Sequence, residues 1–234
     1  RVASRGLGDV YKRQLRETPH TETLEKLSLA SRVGRVGQML RNETNFRRFI
    51  WGRLLGTAAR GAVPFYIILV REELGLSGER LADLTIVFVT AQSLSTLAWG
   101  MLADRNGFRG VFIAALATWM AGVGFLLIDP SPTSIYLVFA LVGAGMGGFL
   151  LASQQLVLEF GTARELPTRS AGTNALSELV AVFGFLAAGY LADAIPLRSL
   201  FAGTLLVQAA SVMLMLRARD PRHGGIQVGI DEDV

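Results

Sequence analysis

Five polar side chains lie inside stretches of the chain that are otherwise apolar and about as long as a membrane is thick. Arg60 is near the middle of the first stretch and Gln92 near the middle of the second, whereas Gln154 is in the fourth stretch and Asn174 and Glu178 are in the fifth. An ionisable group at such depth costs ~3 kcal/mol or more on insertion scales. Arg60 and Glu178 are therefore predicted to have a function. A guanidinium can bind an anionic solute group or pair with a carboxylate, and separating such a pair lets the carboxylate take up a proton.

Both ionisable residues also have a simpler interpretation. Glu178 lies only about two turns from the predicted inner end of its stretch, so its carboxylate can reach water. Arg60 can extend to a membrane surface or donate to a backbone carbonyl. However, roughly nine residues separate it from either end of its stretch, which is ~15 Å at 1.5 Å per residue. The simpler interpretation is therefore weaker for Arg60.

A short charged loop joins the second apolar stretch to the third. Residues 97–116 read LAWGMLADRNGFRGVFIAAL, and the loop residues of interest are Gly100, Asp104, Arg105, Gly107 and Arg109. Since the end of a helix disfavours an anion, we expect Asp104 to pair with Arg105, Arg109 or the start of a neighbouring helix near Gly172. Such a cluster can hold two bundles together on one side of a membrane. The alternative is a solvated turn whose arginines only set the topology.

A segment similar to the start of this stretch recurs 89 residues later in the chain. Residues 97–104 and 186–193 agree at six of eight positions, and nine of twenty positions agree when both are extended to 97–116 and 186–205. The identities include Asp104 with Asp193 and Arg109 with Arg198. Chance recurrence of Gly, Leu and Ala is the alternative, but charged identities make it less attractive. A duplicated helix-loop-helix is typical of transporters built from internal repeats.

The composition indicates an all-α membrane protein. Hydrophobic residues make up 51% of the chain. Six apolar segments, each near the ~20 residues needed to span hydrocarbon, are separated by brief polar turns. Their approximate bounds are 49–70, 81–103, 110–128, 135–158, 170–191 and 200–216. The first repeat copy then ends on one side of the membrane and the second on the other, which predicts a three-plus-three inverted repeat.

Other function classes are disfavoured by the residue types present. The chain has no cysteine, and His20 and His223 lie in polar segments far apart, so no metal site is predicted. The arginines flank apolar segments instead of forming a basic patch with aromatic residues, so no nucleic acid partner is predicted. Neither a nucleotide-binding loop nor a nucleophile triad is present. We therefore predict neither an enzyme nor a cofactor.

The basic residues predict the topology and the domain bounds. Eight arginines flank the predicted inner ends and three flank the outer ends, which places both ends of the chain in the cytoplasm. Residues 4–14, SRGLGDVYKRQ, match the translation of a transposon-type sequencing adaptor, so we exclude residues 1–14 from the fold. Residues 15–48 are predicted to be an amphipathic cytoplasmic linker, 49–217 the membrane bundle and 218–234 a cytoplasmic tail.

The two charged loops resemble those of the major facilitator superfamily. Residues 100–109, GMLADRNGFR, are similar to that family's G-x-x-x-D-R-x-G-x-R loop, and a weaker likeness covers Glu165, Pro167 and Arg169 in the loop before the fifth helix of a half. The resemblance implies half of that fold, the six C-terminal helices, with the N-terminal half missing. It further implies that the first loop stabilises one state of alternating access. The first, second, fourth and fifth helices of a half are implied to line the solute cavity.

These observations together predict a secondary transporter of the cell membrane. Its expected partners are the lipid bilayer, a small solute, the missing half and a coupling proton or cation. Two alternatives remain open: a non-transporting six-helix membrane scaffold, and a half-size carrier that works as a homodimer.

Overall fold

The computed structural model describes residues 37–38, 41–160 and 165–219, and all regular structure in this part of the chain is helical. The predicted adaptor segment 1–14 lies outside the described residues, as do most of the predicted linker and of the predicted tail. Two 3₁₀ turns, Arg60–Ala62 and Leu156–Glu159, interrupt the α-helices. The α-helices are α1 (Thr44–Ala59), α2 (Val63–Leu74), α3 (Gly78–Ile128), α4 (Ser134–Gln155), α5 (Leu166–Ala194) and α6 (Leu197–Arg217).

Pro64 explains why the first membrane-length stretch consists of two helices. Its ring nitrogen carries no hydrogen and cannot donate to the carbonyl of Arg60, four residues earlier, which accepts instead from the N–H of Val63. The chain makes the 3₁₀ turn at this point and then continues as α2. Gly75 ends α2 in the left-handed conformation, at φ 59°.

Five helical stretches in the described residues are long and apolar enough to cross a membrane. They are Thr44–Leu74, Gly78–Ile128, Ser134–Glu159, Leu166–Ala194 and Leu197–Arg217. This is an all-helical, multi-pass membrane fold. The sequence predicted six stretches, and the difference arises because the predicted segments 81–103 and 110–128 both fall within α3, which has 51 residues.

Gly107 divides α3 into two arms. It has φ 78° and ψ 157°, a conformation that lies outside the helical region and that side-chain-bearing residues rarely adopt. A straight helix of this length would measure about 76 Å at 1.5 Å per residue, more than twice the ~30 Å of a hydrocarbon core. We call residues 78–106 the first arm and residues 108–128 the second arm.

Contacts with α4 show that the two arms run in opposite directions. Along the first arm, Phe88 lies against Gly143 and Gln92 lies against Gly147, so sequence numbers rise together. Along the second arm, Trp119 lies against Gly145, but Gly122 lies against Val142, so the numbers run oppositely. The arms therefore fold back on each other at Gly107 and lie on both sides of α4.

The helices pack in an exchange pattern, in which the first helical unit of each half of the chain contacts elements from the other half. α1 packs against α5 and α6, which follow α4 in the chain, whereas α4 packs against the two arms of α3, which follow α1 and α2. α3 also contacts α6. The first helical unit of each half of the chain is thus surrounded by elements from the other half. Because lipid tails are as apolar as leucine, such packing depends on close van der Waals contact and small residues.

Buried aromatic side chains fill the core at two places. Phe149 of α4 contacts Phe112 and Trp119 of the second arm, with ring centroids 5.3 and 6.1 Å apart. At the start of α1, Phe49 stacks on Phe160 at 5.3 Å. Aromatic pairs of this kind contribute ~0.5–1.5 kcal/mol beyond the area that they bury.

Candidate functional site

The centre of the candidate site is a contact between α1 and α5. Arg53 of α1 is only 5% exposed, and its Nη2 donates to Oδ1 of Asn174 at 2.8 Å. Glu178 lies one turn further along α5, and Arg60 lies seven residues after Arg53, in the 3₁₀ turn that follows α1. Both are near enough to act electrostatically on Arg53. The structure therefore groups three of the five polar residues singled out in the sequence around a fourth residue, Arg53, that was not.

The site lies at the edge of an uncovered helix face. Asn174 and Glu178 are exposed and Arg60 is half-buried, whereas Arg53 beneath them is buried. Further along the same face of α5, large apolar side chains are also exposed, among them Val182, Phe183, Leu186 and Tyr190. No ion pair joins Glu178 to either arginine within the described residues.

Three hydroxyl residues line the buried side of α5 beside Asn174. Ser170, Thr173 and Ser177 follow each other at spacings of three and four, so they share one face of the helix. Thr173 is 1% exposed and Ser177 is 3% exposed. In the described part of the chain, the three hydroxyl oxygens and Nη1 of Arg53 are buried atoms without a hydrogen-bond partner.

The other two polar residues singled out in the sequence lie elsewhere. Gln92 is half-buried on the first arm, where its backbone carbonyl accepts hydrogen bonds from the hydroxyls of Ser95 and Thr96. Gln154 is exposed near the end of α4. Across the described ranges, no hydrogen bond joins either glutamine side chain to Arg53. Their place in a solute cavity remains a prediction.

The first charged loop is built around the turn at Gly107. Arg109 donates from Nε to the carbonyl of Met215 at 3.1 Å and from Nη2 to that of Leu216 at 2.9 Å. Both carbonyls belong to the last turn of α6, and that of Met215 also accepts from the backbone N–H of Ala218 at 3.2 Å. Asp104 is exposed and has no ion pair within the described residues, contrary to our expectation, because the guanidinium of Arg109 is directed at α6.

Arg105 and Gly100 are the other residues of interest near this loop. Arg105 is exposed. A side chain at Gly100 would meet open space, and so would one at Gly189, its counterpart in the repeat. In the described part of the chain, neither glycine is needed for a close helix contact.

At the second charged loop, the start of α5 holds an ion cluster in which the arginine is buried and the two carboxylates are partly exposed. Arg169 is 3% exposed and binds Glu165 at 2.9 Å. It also binds Glu43, just before α1, through both carboxylate oxygens, one of them at 2.8 Å. The guanidinium lies 4.8 Å from the ring centroid of Phe46. Pro167 occupies the first turn of α5, where its missing N–H costs nothing. Arg169 therefore ties the start of α1 to the start of α5.

Arg198, the repeat counterpart of Arg109, occupies a matching position at the other end of the bundle. Its Nε and Nη2 bind the Glu73 carboxylate at 2.6 and 2.8 Å. Its Nη1 donates to the carbonyl of Leu127 at 3.4 Å, near the end of α3. Arg109 at the start of the second arm therefore caps the end of α6, and Arg198 at the start of α6 caps the end of the second arm.

Comparison with known proteins decides what kind of protein carries this arrangement. The sequence profile of the Major Facilitator Superfamily matches residues 49–232. The chain belongs to the Major Facilitator Superfamily. Proteins of the Major Facilitator Superfamily are transporters rather than enzymes.

One relative gives a narrower comparison within the Major Facilitator Superfamily. A candidate niacin/nicotinamide transporter, NiaP, of Bacillus subtilis (strain 168) is 29% identical over 99 residues. The alignment covers 42% of this chain and 25% of the relative, so the chain matches only about a quarter of that protein's length.

Sequence reasoning missed several residues that the structure places at these sites. Arg53 was passed over because it lies nearer the end of its segment than Arg60 does. The available signal was its spacing of seven residues from Arg60, which puts both on one face of a helix. Glu43 carried no such signal, since its partner Arg169 is 126 positions away.

Proposed function

We propose that the chain forms the C-terminal six-helix half of a secondary transporter that carries a small solute by alternating access. The observation that carries the proposal is the group of Arg53, Arg60, Asn174 and Glu178. It places a buried cation beside exposed polar side chains at the edge of an uncovered helix face. Ionisable groups at membrane depth are costly and are generally retained where they bind a solute or an ion.

In this proposal the two arms of α3 cross the membrane separately, giving six crossings. The opposite directions of the arms along α4 support this, as does the excess length of α3 over a single crossing. The exchange pattern of packing supports an inverted repeat, with α1 to α3 as one unit and α4 to α6 as the other. The reciprocal caps made by Arg109 and Arg198 have the symmetry that such a repeat requires.

We place the chain in the cell membrane with both ends in the cytoplasm. The support is the excess of arginines at one set of helix ends over the other. The cluster of Arg169 and Glu43 then lies on the cytoplasmic side, and the pair of Arg198 and Glu73 lies on the outer side.

The uncovered faces of the first arm and of α5 are proposed to pack against an N-terminal half of the same transporter. Leu97 and Met101 on the first arm are 71% and 64% exposed, and Leu186 and Tyr190 on α5 are 65% and 76% exposed. Gly100 and Gly189 lie in these same regions and face open space. Six further spans encoded upstream of the chain would support this arrangement, whereas a start codon close to Leu15 would favour a half-size carrier or a scaffold.

The identity of the solute can be tested directly with candidate compounds. Nicotinate and nicotinamide are the first candidates, since the relative from Bacillus subtilis carries a name that refers to these compounds. Glu178 is the proposed carrier of a coupling proton, because it is exposed and lies within electrostatic range of Arg53.

The proposal is tested by uptake of radiolabelled solute into cells that express the complete reading frame. Arg60→Ala is expected to reduce uptake to background with unchanged protein in the membrane, because it removes a cation from the solute path. Arg60→Lys keeps the charge but loses the planar fork, so we expect partial uptake. Arg71→Gln, at an exposed site in the last turn of α2, is the control. Wild-type uptake by Arg60→Ala would remove this residue from the site, and no uptake by the wild type would refute transport of these solutes.

A further inference from the structure

Arg53 carries a charge that no bonded carboxylate neutralises in the described part of the chain. Its side chain is 95% removed from solvent, and the group bonded to it, Asn174, offers a neutral oxygen. Glu178 is within electrostatic range but makes no ion pair with it. A buried charge is tolerated when it is both paired with an opposite charge and hydrogen-bonded. Arg53 has the hydrogen bond but not the ion pair.

The helix segment bonded to Arg53 carries further hydrogen-bond donors. Nη1 of Arg53 and the hydroxyls of Thr173 and Ser177 are buried and have no partner among the described residues. Buried donors of this kind are rare, because each forfeits its hydrogen bonds to water. Thr173 and Ser177 flank Asn174 within one turn of α5, so their hydroxyls are on the helix segment that already contacts Arg53.

We propose that Arg53, Thr173 and Ser177 form a binding site for the carboxylate group of an organic anion. This inference deepens the proposed transport function and rests on it. A carboxylate has two oxygens with about four acceptor positions, enough for Nη1 of Arg53 and for both hydroxyls. Its charge supplies the missing counter-ion, and charge-assisted hydrogen bonds of this type are the strong ones.

Asn174 and the nearby charges complete the site. Asn174 fixes the guanidinium through Nη2, which leaves Nη1 for the ligand, so we regard it as a positioning residue. Arg53, Arg60 and Glu178 together carry one net positive charge, since two cations are offset by one carboxylate. One bound monoanion therefore makes the group neutral. The site thus selects an anion over its neutral amide, which would leave the buried charge unpaired.

The test is the melting temperature of the purified complete transporter in detergent, titrated with sodium acetate and sodium benzoate. Total salt is held constant with sodium chloride, and benzamide serves as the neutral counterpart of benzoate. We expect a saturable rise in melting temperature with the carboxylates and none with benzamide. No rise with either carboxylate, or an equal rise with benzoate and benzamide, overturns the site.

Variants separate the site from general effects of salt. Arg53→Gln should abolish the rise, and Thr173→Val should raise the apparent dissociation constant at least about tenfold, as for one hydrogen bond lost to a charged group. Thr173→Val keeps the volume of the side chain, so it remains informative if Arg53→Gln does not fold. Arg71→Gln, an exposed charge on the same membrane stretch, should titrate like the wild type. Wild-type titration by both Arg53→Gln and Thr173→Val overturns the site.

A second measurement distinguishes this inference from the function on which it rests. The complete transporter is reconstituted in proteoliposomes and supplied with labelled benzoate, nicotinate and nicotinamide. If carboxylates stabilise the protein but no solute is taken up, the binding site is supported and transport of these solutes is contradicted. Uptake confined to the neutral nicotinamide retains transport and overturns the carboxylate site.

Discussion

Arg169 and Arg198 are both held by carboxylates, but water reaches them to very different extents. The side chain of Arg169 is 3% exposed, and that of Arg198 is 50% exposed. Arg169→Gln removes charge-assisted hydrogen bonds to Glu43 and Glu165 and the contact with Phe46, so we expect a loss of about 1–2 kcal/mol in the free energy of unfolding. Arg198→Gln should change stability much less, because an exposed ion pair contributes little in water.

Melting temperatures of the two variants and the wild type in one detergent check this prediction. Each variant replaces an arginine that contacts a carboxylate bidentately, so each serves as the control for the other. An equal fall for both would mean that burial of the guanidinium does not decide its contribution.

At the scale of single residues, the sequence predicted the kind of group but not its partner. The position of Arg109 in a charged loop was evident, and we expected an ion pair with Asp104. Its actual acceptors, the carbonyls of Met215 and Leu216, are more than a hundred positions away. Only the fold determines which helix end lies beside the loop. The partner of Arg53 likewise depends on the fold, since Asn174 lies 121 positions away.

At the scale of helices, the end of α1 and the 3₁₀ turn after it pack closely against α5. A Cβ on Gly61 would overlap the backbone of Gly184, and one on Gly184 would lie 3.0 Å from the carbonyl oxygen of Ala58. Gly61→Ala must therefore push α1 away from α5 near the 3₁₀ turn. We expect it to lower the melting temperature and to reduce uptake at least about tenfold, since small displacements of a binding group are costly.

Gly203→Ala is the matched control for Gly61→Ala. It lies on α6, where an added methyl group meets open space within the described residues. Alanine favours a helix over glycine by ~1 kcal/mol, so the bundle should be as stable as the wild type or more so. Uptake at the wild-type rate by Gly61→Ala would show that the two helices can separate there without harm.

Helix existence was well predicted from the apolar segments, but helix continuity was not. The predicted gap between residues 103 and 110 narrows in the structure to Gly107, whose non-helical backbone separates the two arms of α3. The break before Pro64 lies within a segment that we predicted as one helix. Hydropathy reports which residues avoid water, whereas these features depend on backbone hydrogen bonds at one glycine and one proline.

At the scale of the whole molecule, contacts between helices give the relative directions in which they run. α1 and α5 run in the same direction, because Arg53 contacts Asn174 and Gly61 contacts Gly184 further along both helices. α1 and α6 run oppositely, because Asn45 binds Arg219 whereas Gly52 binds Ser211. If all elements cross the membrane, these directions require three crossings each way.

The direction of the crossings gives the last prediction, which concerns Asp104 and Asp193. They occupy equivalent positions in the two copies of the repeat, near the end of the first arm and near the end of α5. If the first arm and α5 cross in opposite directions, the two carboxylates lie on opposite faces of the membrane. This chain contains no cysteine, so Asp104→Cys and Asp193→Cys each introduce a single thiol into residues 1–234, and labelling of the unsubstituted protein is the background.

A membrane-impermeant maleimide, applied to cells that express each variant, shows on which face of the membrane the introduced cysteine lies. We expect Asp193→Cys to react in intact cells and Asp104→Cys to react only after permeabilisation, because the arginine distribution places the first charged loop in the cytoplasm. Glu165→Cys, in the second charged loop, should follow Asp104→Cys and serves as the inner control. Reaction of Asp104→Cys and Asp193→Cys from the same side would exclude an inverted repeat. Reaction of Asp104→Cys alone from outside would preserve the repeat and reverse the orientation.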